Sequence, residues 1–161
     1  MKKTNAVRLL DNLGIEYQLL TYSVDPDDLA AQSAAAKLDF PPEQLFKTLV
    51  ARGSQVGVCF AVVPANVQLS FKALAKLAGD RKLETVPLKA VQSLTGYIRG
   101  GVTALAARKN YPVYIDETCQ HFEKIAVSAG VRGMLIQLAP ADYIRATQGM
   151  LGAIAIAVTS D

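Results

Sequence analysis

Lys47 stands where a lysine is out of place. In an extended run Leu45, Lys47, Leu49 and Ala51 share one face and Phe46, Thr48 and Val50 the other, so an ammonium sits in an apolar row. Two readings fit. A lysine on an edge strand discourages pairing with another chain. A lysine at the mouth of a pocket, partly desolvated, can neutralise a phosphate or polarise an ester carbonyl. A second unusual segment is Thr95-Gly96-Tyr97-Ile98-Arg99-Gly100-Gly101-Val102-Thr103. Paired glycines in a strand-like pattern mark either a barrel corner or a place where a ligand approaches the backbone, with N–H groups open to an oxyanion. Ser128-Ala129-Gly130-Val131-Arg132-Gly133 repeats the theme. Ser128 has no nearby His or Asp, so it reads as a hydrogen-bond donor rather than a nucleophile.

Other chemistries are disfavoured. The chain has one histidine, His121, and two cysteines, Cys59 and Cys119, which match no metal-ligand spacing and no disulfide framework. His121 reads as a surface or capping residue and Cys59 as core. No glycine pattern matches a P-loop or a dinucleotide fingerprint, so neither a metal nor a cofactor is expected. Residues 1–43 carry four basic and seven acidic side chains, residues 44–115 ten and two, and residues 116–161 three and five. The basic middle, with Lys72, Lys76, Arg81, Lys82 and Lys89, is the footprint of a polyanion such as RNA, although a solvated lysine surface gives the same count. The longest apolar stretch, Met150 to Val158, is about half a membrane span. The opening MKKTNAVRLLDNLG has no uninterrupted apolar run of the secretory kind, which places the protein in the cytoplasm with no membrane contact.

These residues need a scaffold, and the 161-residue chain, 51% hydrophobic and 19% charged, has the composition of one globular domain spanning residues 1–161. Thr4 caps a first helix that ends at Gly14, and Ile15 to Tyr22 alternate as a strand. The Ala-rich stretch Leu29 to Leu38 is helical. Leu45 to Ala51 and Val56 to Val63 form a hairpin across Arg52-Gly53-Ser54-Gln55. Ser70 caps a helix through Ala78, with Lys72 and Lys76 on one exposed side. Lys82 to Val86, Tyr97 to Val102, Val113 to Ile115, Lys124 to Ser128 and Met134 to Leu138 read as strands. Leu88 to Leu94 and Pro140 to Thr147 read as helices. Hairpins mixed with alternating helices predict a mixed α/β (α+β) fold, a curled sheet or partial barrel flanked by helices.

Four strings in order, Lys3-Thr4-Asn5-Ala6-Val7-Arg8-Leu9-Leu10, Leu45-Phe46-Lys47-Thr48-Leu49, Thr95 to Gly101 and Ser128 to Met134, resemble the YbaK/EbsC family of Cys-tRNA(Pro) deacylases over nearly the whole chain. The family is related to the editing insertion of prolyl-tRNA synthetases. The resemblance implies hydrolysis, in trans, of cysteine wrongly attached to proline tRNA, with prolyl-tRNA synthetase as a further partner. It places the key lysine on Lys47 and substrate contacts on Tyr22, Thr48, Gly100, Gly101 and Ser128. It also implies that the substrate's own thiol attacks the ester and releases a thiolactone, so that no protein nucleophile is needed. Two positions depart from the family pattern: Ala104 stands where a proline is common, and Gln137 where an acidic residue is expected. The alternatives are a deacylase for another small amino acid and a catalytically silent module that binds an aminoacyl end or small ligand.

Overall fold

The computed structural model describes residues 2–157. The elements run α1 (Asn5–Asn12), β1 (Gln18–Thr21), α2 (Ala31–Lys37), β2 (Phe46–Gly53), β3 (Gly57–Pro64), β4 (Val67–Leu69), α3 (Phe71–Ala78), β5 (Leu83–Thr85) and α4 (Leu88–Thr95). They continue with β6 (Val113–Asp116), β7 (Ile125–Ser128), β8 (Met134–Leu138), α5 (Pro140–Thr147), β9 (Met150–Gly152) and β10 (Ala155–Ala157). A five-stranded sheet has the order β5-β2-β3-β6-β9, a three-stranded sheet the order β1-β8-β7, and β10 pairs with β4. A parallel bridge between Leu45 and Ala126 joins the two larger sheets, giving a curled mixed α/β layer that does not close into a barrel.

Binary patterning accounts for the two faces of the five-stranded sheet. The antiparallel hairpin β2–β3 pairs Phe46 with Pro64 through to Gly53 with Gly57. Phe46, Val50, Phe60 and Val62 enter one core with α1, the three-stranded sheet and Tyr143 of α5. Ala51, Cys59, Ala61 and Val63 enter a second core beneath α3, whose Leu74 and Ala75 are buried. A third cluster seats α2 against Leu45, Ala126 and Leu135. Thr4 and Ser70 cap α1 and α3 by accepting from Val7 N–H (3.2 Å) and Ala73 N–H (3.1 Å).

Tyr97 to Val102 is not a strand. The left-handed Gly96 (φ 84°) ends α4, and the Tyr97 phenol then donates to the carbonyls of Leu105 (2.6 Å) and Ala106 (3.0 Å). The segment therefore folds on itself and offers no ladder to a neighbouring strand. The apolar tail forms two short strands, β9 and β10. They are clamped by the buried Asp116, which accepts from Ile154 N–H (3.0 Å) and Ala155 N–H (3.1 Å). Val158 lies outside the described residues.

Asp80 pins the β2–β3 turn to the end of α3. Its carboxylate accepts from Val56 N–H (2.8 Å), Gln55 N–H (2.9 Å), Arg81 N–H (2.7 Å) and the Ser54 hydroxyl (3.2 Å). A side chain on Gly53 would collide with it. The N–H donors, led by that of Val56, hold its pKa down at about 2 against an ordinary 3.8. A lowered folded-state pKa contributes stability that is complete above 3.8 and is lost as pH falls towards 2. Asp80→Asn is expected to lower the melting temperature at neutral pH, with the gap to the wild type closing between these two pH values. Parallel acid titrations of thermal unfolding measure it, and a gap that stays constant with pH would refute the clamp.

Candidate active site

A pocket of about 330 Å³ opens where β2, the loop 22–31, the start of α4 and the 98–101 turn converge. Five residues singled out from the sequence line it, Tyr22, Lys47, Thr48, Gly100 and Ser128, brought together from four separate segments. Leu29, Val86, Leu88 and Val91 supply apolar walls, and Arg99 adds a second cation.

Lys47 is half-buried, and its Nζ donates to the carbonyls of Val67 (2.8 Å) and Ala65 (3.4 Å). These carbonyls belong to the β3–β4 turn and to β4, so the turn holds the ammonium in place. Burial lowers its pKa. β5 covers only the far half of β2, pairing with Ala51 to Gly53. The Lys47 half of β2 is left open on that side, which lets the pocket form there. Lys47 is thus a tethered pocket cation and not a solvated edge-strand guard. Two of its three N–H bonds are engaged, which leaves one donor for a ligand.

Gly101 N–H donates to Ile98 O (2.9 Å), closing a turn in which Gly100 takes φ 88°. That third position of the turn favours glycine. The paired glycines are therefore not equivalent. Gly101 N–H is consumed by the turn, whereas Gly100 N–H has no backbone acceptor among the described residues and Gly100 alone lines the pocket. Gly101 is buried, and a Cβ there would sit 3.1 Å from the backbone of Val131. Arg132 Nε donates to Arg99 O (2.8 Å), so the two glycine-flanked turns are locked to one another. In the second, Ser128 Oγ accepts from Gly130 N–H (3.3 Å), leaving its own hydrogen free to donate. Tyr22 N–H donates to Gly133 O (2.9 Å), fixing the pocket loop to the same turn.

Thr48 lines the pocket, but its hydroxyl is shut away from solvent beside the Tyr143 phenol, and neither group makes a well-formed hydrogen bond. Burial pushes the thiols of Cys59 and Cys119 up to about 11, so both are inert neutral thiols. Among the described residues no cluster of three His, Cys, Asp or Glu side chains could hold a metal ion, and no helix is long and apolar enough to cross a membrane. The site can thus orient and polarise an ester by hydrogen bonds and charge, and no His, Asp or Glu lines it to activate the Ser128 hydroxyl as a nucleophile.

Comparison with known proteins decides the family. The profile of the aminoacyl-tRNA editing domain matches residues 25–146. The chain belongs to the aminoacyl-tRNA editing domain family. It is 39% identical over 153 residues, 95% of its own length and 93% of the relative's, to EbsC of Enterococcus faecalis, a protein named as a candidate Cys-tRNA(Pro)/Cys-tRNA(Cys) deacylase. Two solved structures share the fold. One is a hypothetical protein, APE2540, with a TM-score of 0.86 and 23% identity, covering 95% of this chain and 100% of that one. The other is described as a candidate trans-editing enzyme for prolyl-tRNA synthetase, with a TM-score of 0.79 and 20% identity, covering 97% and 99%.

Of the substrate contacts that the resemblance implies, Gly101 alone does not line the pocket, and the basic residues expected to meet RNA lie outside it. Lys72 and Lys76 project from the exposed side of α3, Arg81 follows that helix, and Lys89 is exposed on α4; none of the four lines the pocket. Lys82 lines a separate cleft. Ala104 packs against the main core and Gln137 lies on β8 facing Gln18 and Ala126, so neither departure from the family pattern touches the pocket. Sequence reasoning missed Leu29, Leu88 and Arg99 as pocket walls. Leu29 and Arg99 lie on irregular segments with no periodic signal, and Leu88 reads only as a helix-start residue.

Proposed function

We infer that this chain is a trans-editing aminoacyl-tRNA deacylase that removes cysteine from proline tRNA. The observation that carries the reading is the convergence of Lys47, Ser128 and the open Gly100 N–H around a pocket of about 330 Å³, in a chain 39% identical to a protein named for that activity. The pocket volume suits an aminoacyl group with part of its ribose. Lys47 and the Gly100 N–H polarise the ester carbonyl and stabilise the oxyanion, while Ser128 and Tyr22 orient the aminoacyl end. The cysteinyl thiolate attacks its own carbonyl carbon. The new C–S bond closes a thiolactone, the C–O bond to the ribose breaks, and the departing ribose oxygen takes up a proton. Substrate-supplied chemistry gives selectivity that an apolar pocket cannot, because a methylene is worth only about 1–3 kcal/mol there. Residues 1–161 act as one editing domain in the cytoplasm, with no cofactor, and prolyl-tRNA synthetase delivers the tRNA.

The experiment is deacylation of tRNAs charged with cysteine, alanine, serine and proline. Rapid loss of cysteine alone supports the reading. Equal loss of alanine or serine would point to another small amino acid, and no loss of any would leave a binding module.

Lys72, Lys76, Arg81, Lys82 and Lys89 form the basic surface that meets tRNA phosphates. Reversing the charge of Lys72 and Lys76 together, i and i+4 on α3, is expected to raise KM, leave kcat unchanged and flatten the log–log salt slope by about two contacts. An unchanged slope would reduce these lysines to a solvated face.

A further inference from the structure

A second cleft, of about 480 Å³, lies along the far half of β2 and shares Thr85 and Val86 with the lining of the pocket, so the two adjoin. It is lined by Arg52, Ser54, Lys82 and Glu84, with Pro87 at its junction with the pocket. Thr48, Val50 and Arg52 alternate onto one face of β2, which puts Arg52 about 13 Å along the strand from Thr48. Arg52 is exposed, faces Glu84 across the β2–β5 pairing and forms no ion pair among the described residues. Lys82 reaches Glu84 at 3.3 Å in a pair that is about three-quarters exposed. Such a pair is weak and an incoming anion displaces it readily. The Asp80 carboxylate, which does not line the cleft, is already engaged by Ser54 and by backbone N–H groups.

We propose that this cleft is a subsite for the phosphodiester backbone of the single-stranded 3′ end of the RNA, with Arg52 and Lys82 each holding a phosphate as the terminal nucleotide enters the pocket. The proposal rests on the deacylase reading and adds the route by which the acceptor end reaches Lys47. Arg52 suits the role because its planar fork grips phosphate oxygens in pairs. Glu84 then acts against binding: it holds Lys82 in place in the empty cleft and repels the phosphate that takes its position.

The test measures binding, not turnover. A fluorescein-labelled RNA hairpin with a single-stranded, uncharged CCA 3′ end is titrated with the full chain at several salt concentrations, beside a blunt hairpin of the same stem. Arg52→Ala combined with Lys82→Ala is expected to raise Kd about tenfold for the CCA hairpin and to flatten its salt slope by about 1.4, two single-strand contacts. Glu84→Gln is expected to tighten binding by a few fold. Thermal melts check that each variant is folded. The proposal is overturned by an unchanged Kd and slope in the double variant, by weaker binding in Glu84→Gln, by equal binding of the blunt hairpin, or by no saturable binding of the wild type. CCA-dependent binding without deacylation of any charged tRNA would sink the deacylase reading alone. Deacylation of charged tRNA by a double variant whose Kd and slope are unchanged would sink this route alone.

Discussion

Lys47→Ala is expected to reduce kcat/KM for deacylation by about 10²–10³, the loss seen when one preorganised donor to a developing oxyanion is removed. The fold should survive. Lys47 is half-buried, and desolvation already lowers its pKa, so burying the charged ammonium costs stability that alanine recovers. What alanine forfeits is the tie from β2 to the carbonyls of Val67 and Ala65. Lys47→Met separates stem from charge, because it keeps the apolar contacts of the side chain and discards the ammonium. Both variants should lose activity alike and melt within a few degrees of the wild type. A folded Lys47→Ala with wild-type turnover would remove Lys47 from the site, and an unfolded one with an active Lys47→Met would make it structural.

Gly101→Val should disrupt the glycine-flanked turns through displacement rather than lost contact. The new Cβ falls 3.1 Å from the Val131 backbone, which cannot rotate away as a side chain could. The two turns, locked by the Arg132–Arg99 hydrogen bond, must then separate. Overpacking of this kind costs about 1–3 kcal/mol in stability. The activity cost is larger, because Gly100 and Ser128 sit on the turns being pushed apart and a 1 Å misplacement of a positioning group can cost about 10²-fold. Activity assayed well below the melting temperature should therefore fall by about a hundredfold while the melting temperature drops modestly. A loss of activity no greater than the stability loss explains would make Gly101 a packing residue only.

What could be read from the chain alone was local in origin. The caps at Thr4 and Ser70, the α3 helix ended by Gly79 and the β2–β3 hairpin follow from side-chain-to-backbone hydrogen bonds, left-handed glycine and period-two burial. Lys47 stood out because an ammonium breaks an apolar row. Leu45 to Leu49 and the two glycine-flanked strings carried the family, because their positions are tied to one arrangement of turns.

Tertiary structure alone decided the rest. Tyr97 to Val102 has strand-like composition, yet the hydrogen bonds of the Tyr97 phenol to Leu105 and Ala106 turn it back on itself, and no local pattern encodes a bond eight residues away. Gly100 and Gly101 are adjacent in sequence, yet the N–H of one has no backbone acceptor among the described residues and the other spends its own, a difference set by which carbonyl closes the turn. Whether Lys47 guards an edge or enters a pocket depended on how far β5 extends along β2, a matter of register between strands separated by α3. Leu29, Leu88 and Arg99 became pocket walls, and Arg52 joined Lys82 in one cleft, only because loop, strand and helix ends converge there. Such convergence is fixed by the packing of the cores on either face of the sheet, where contacts between distant segments outweigh any local preference.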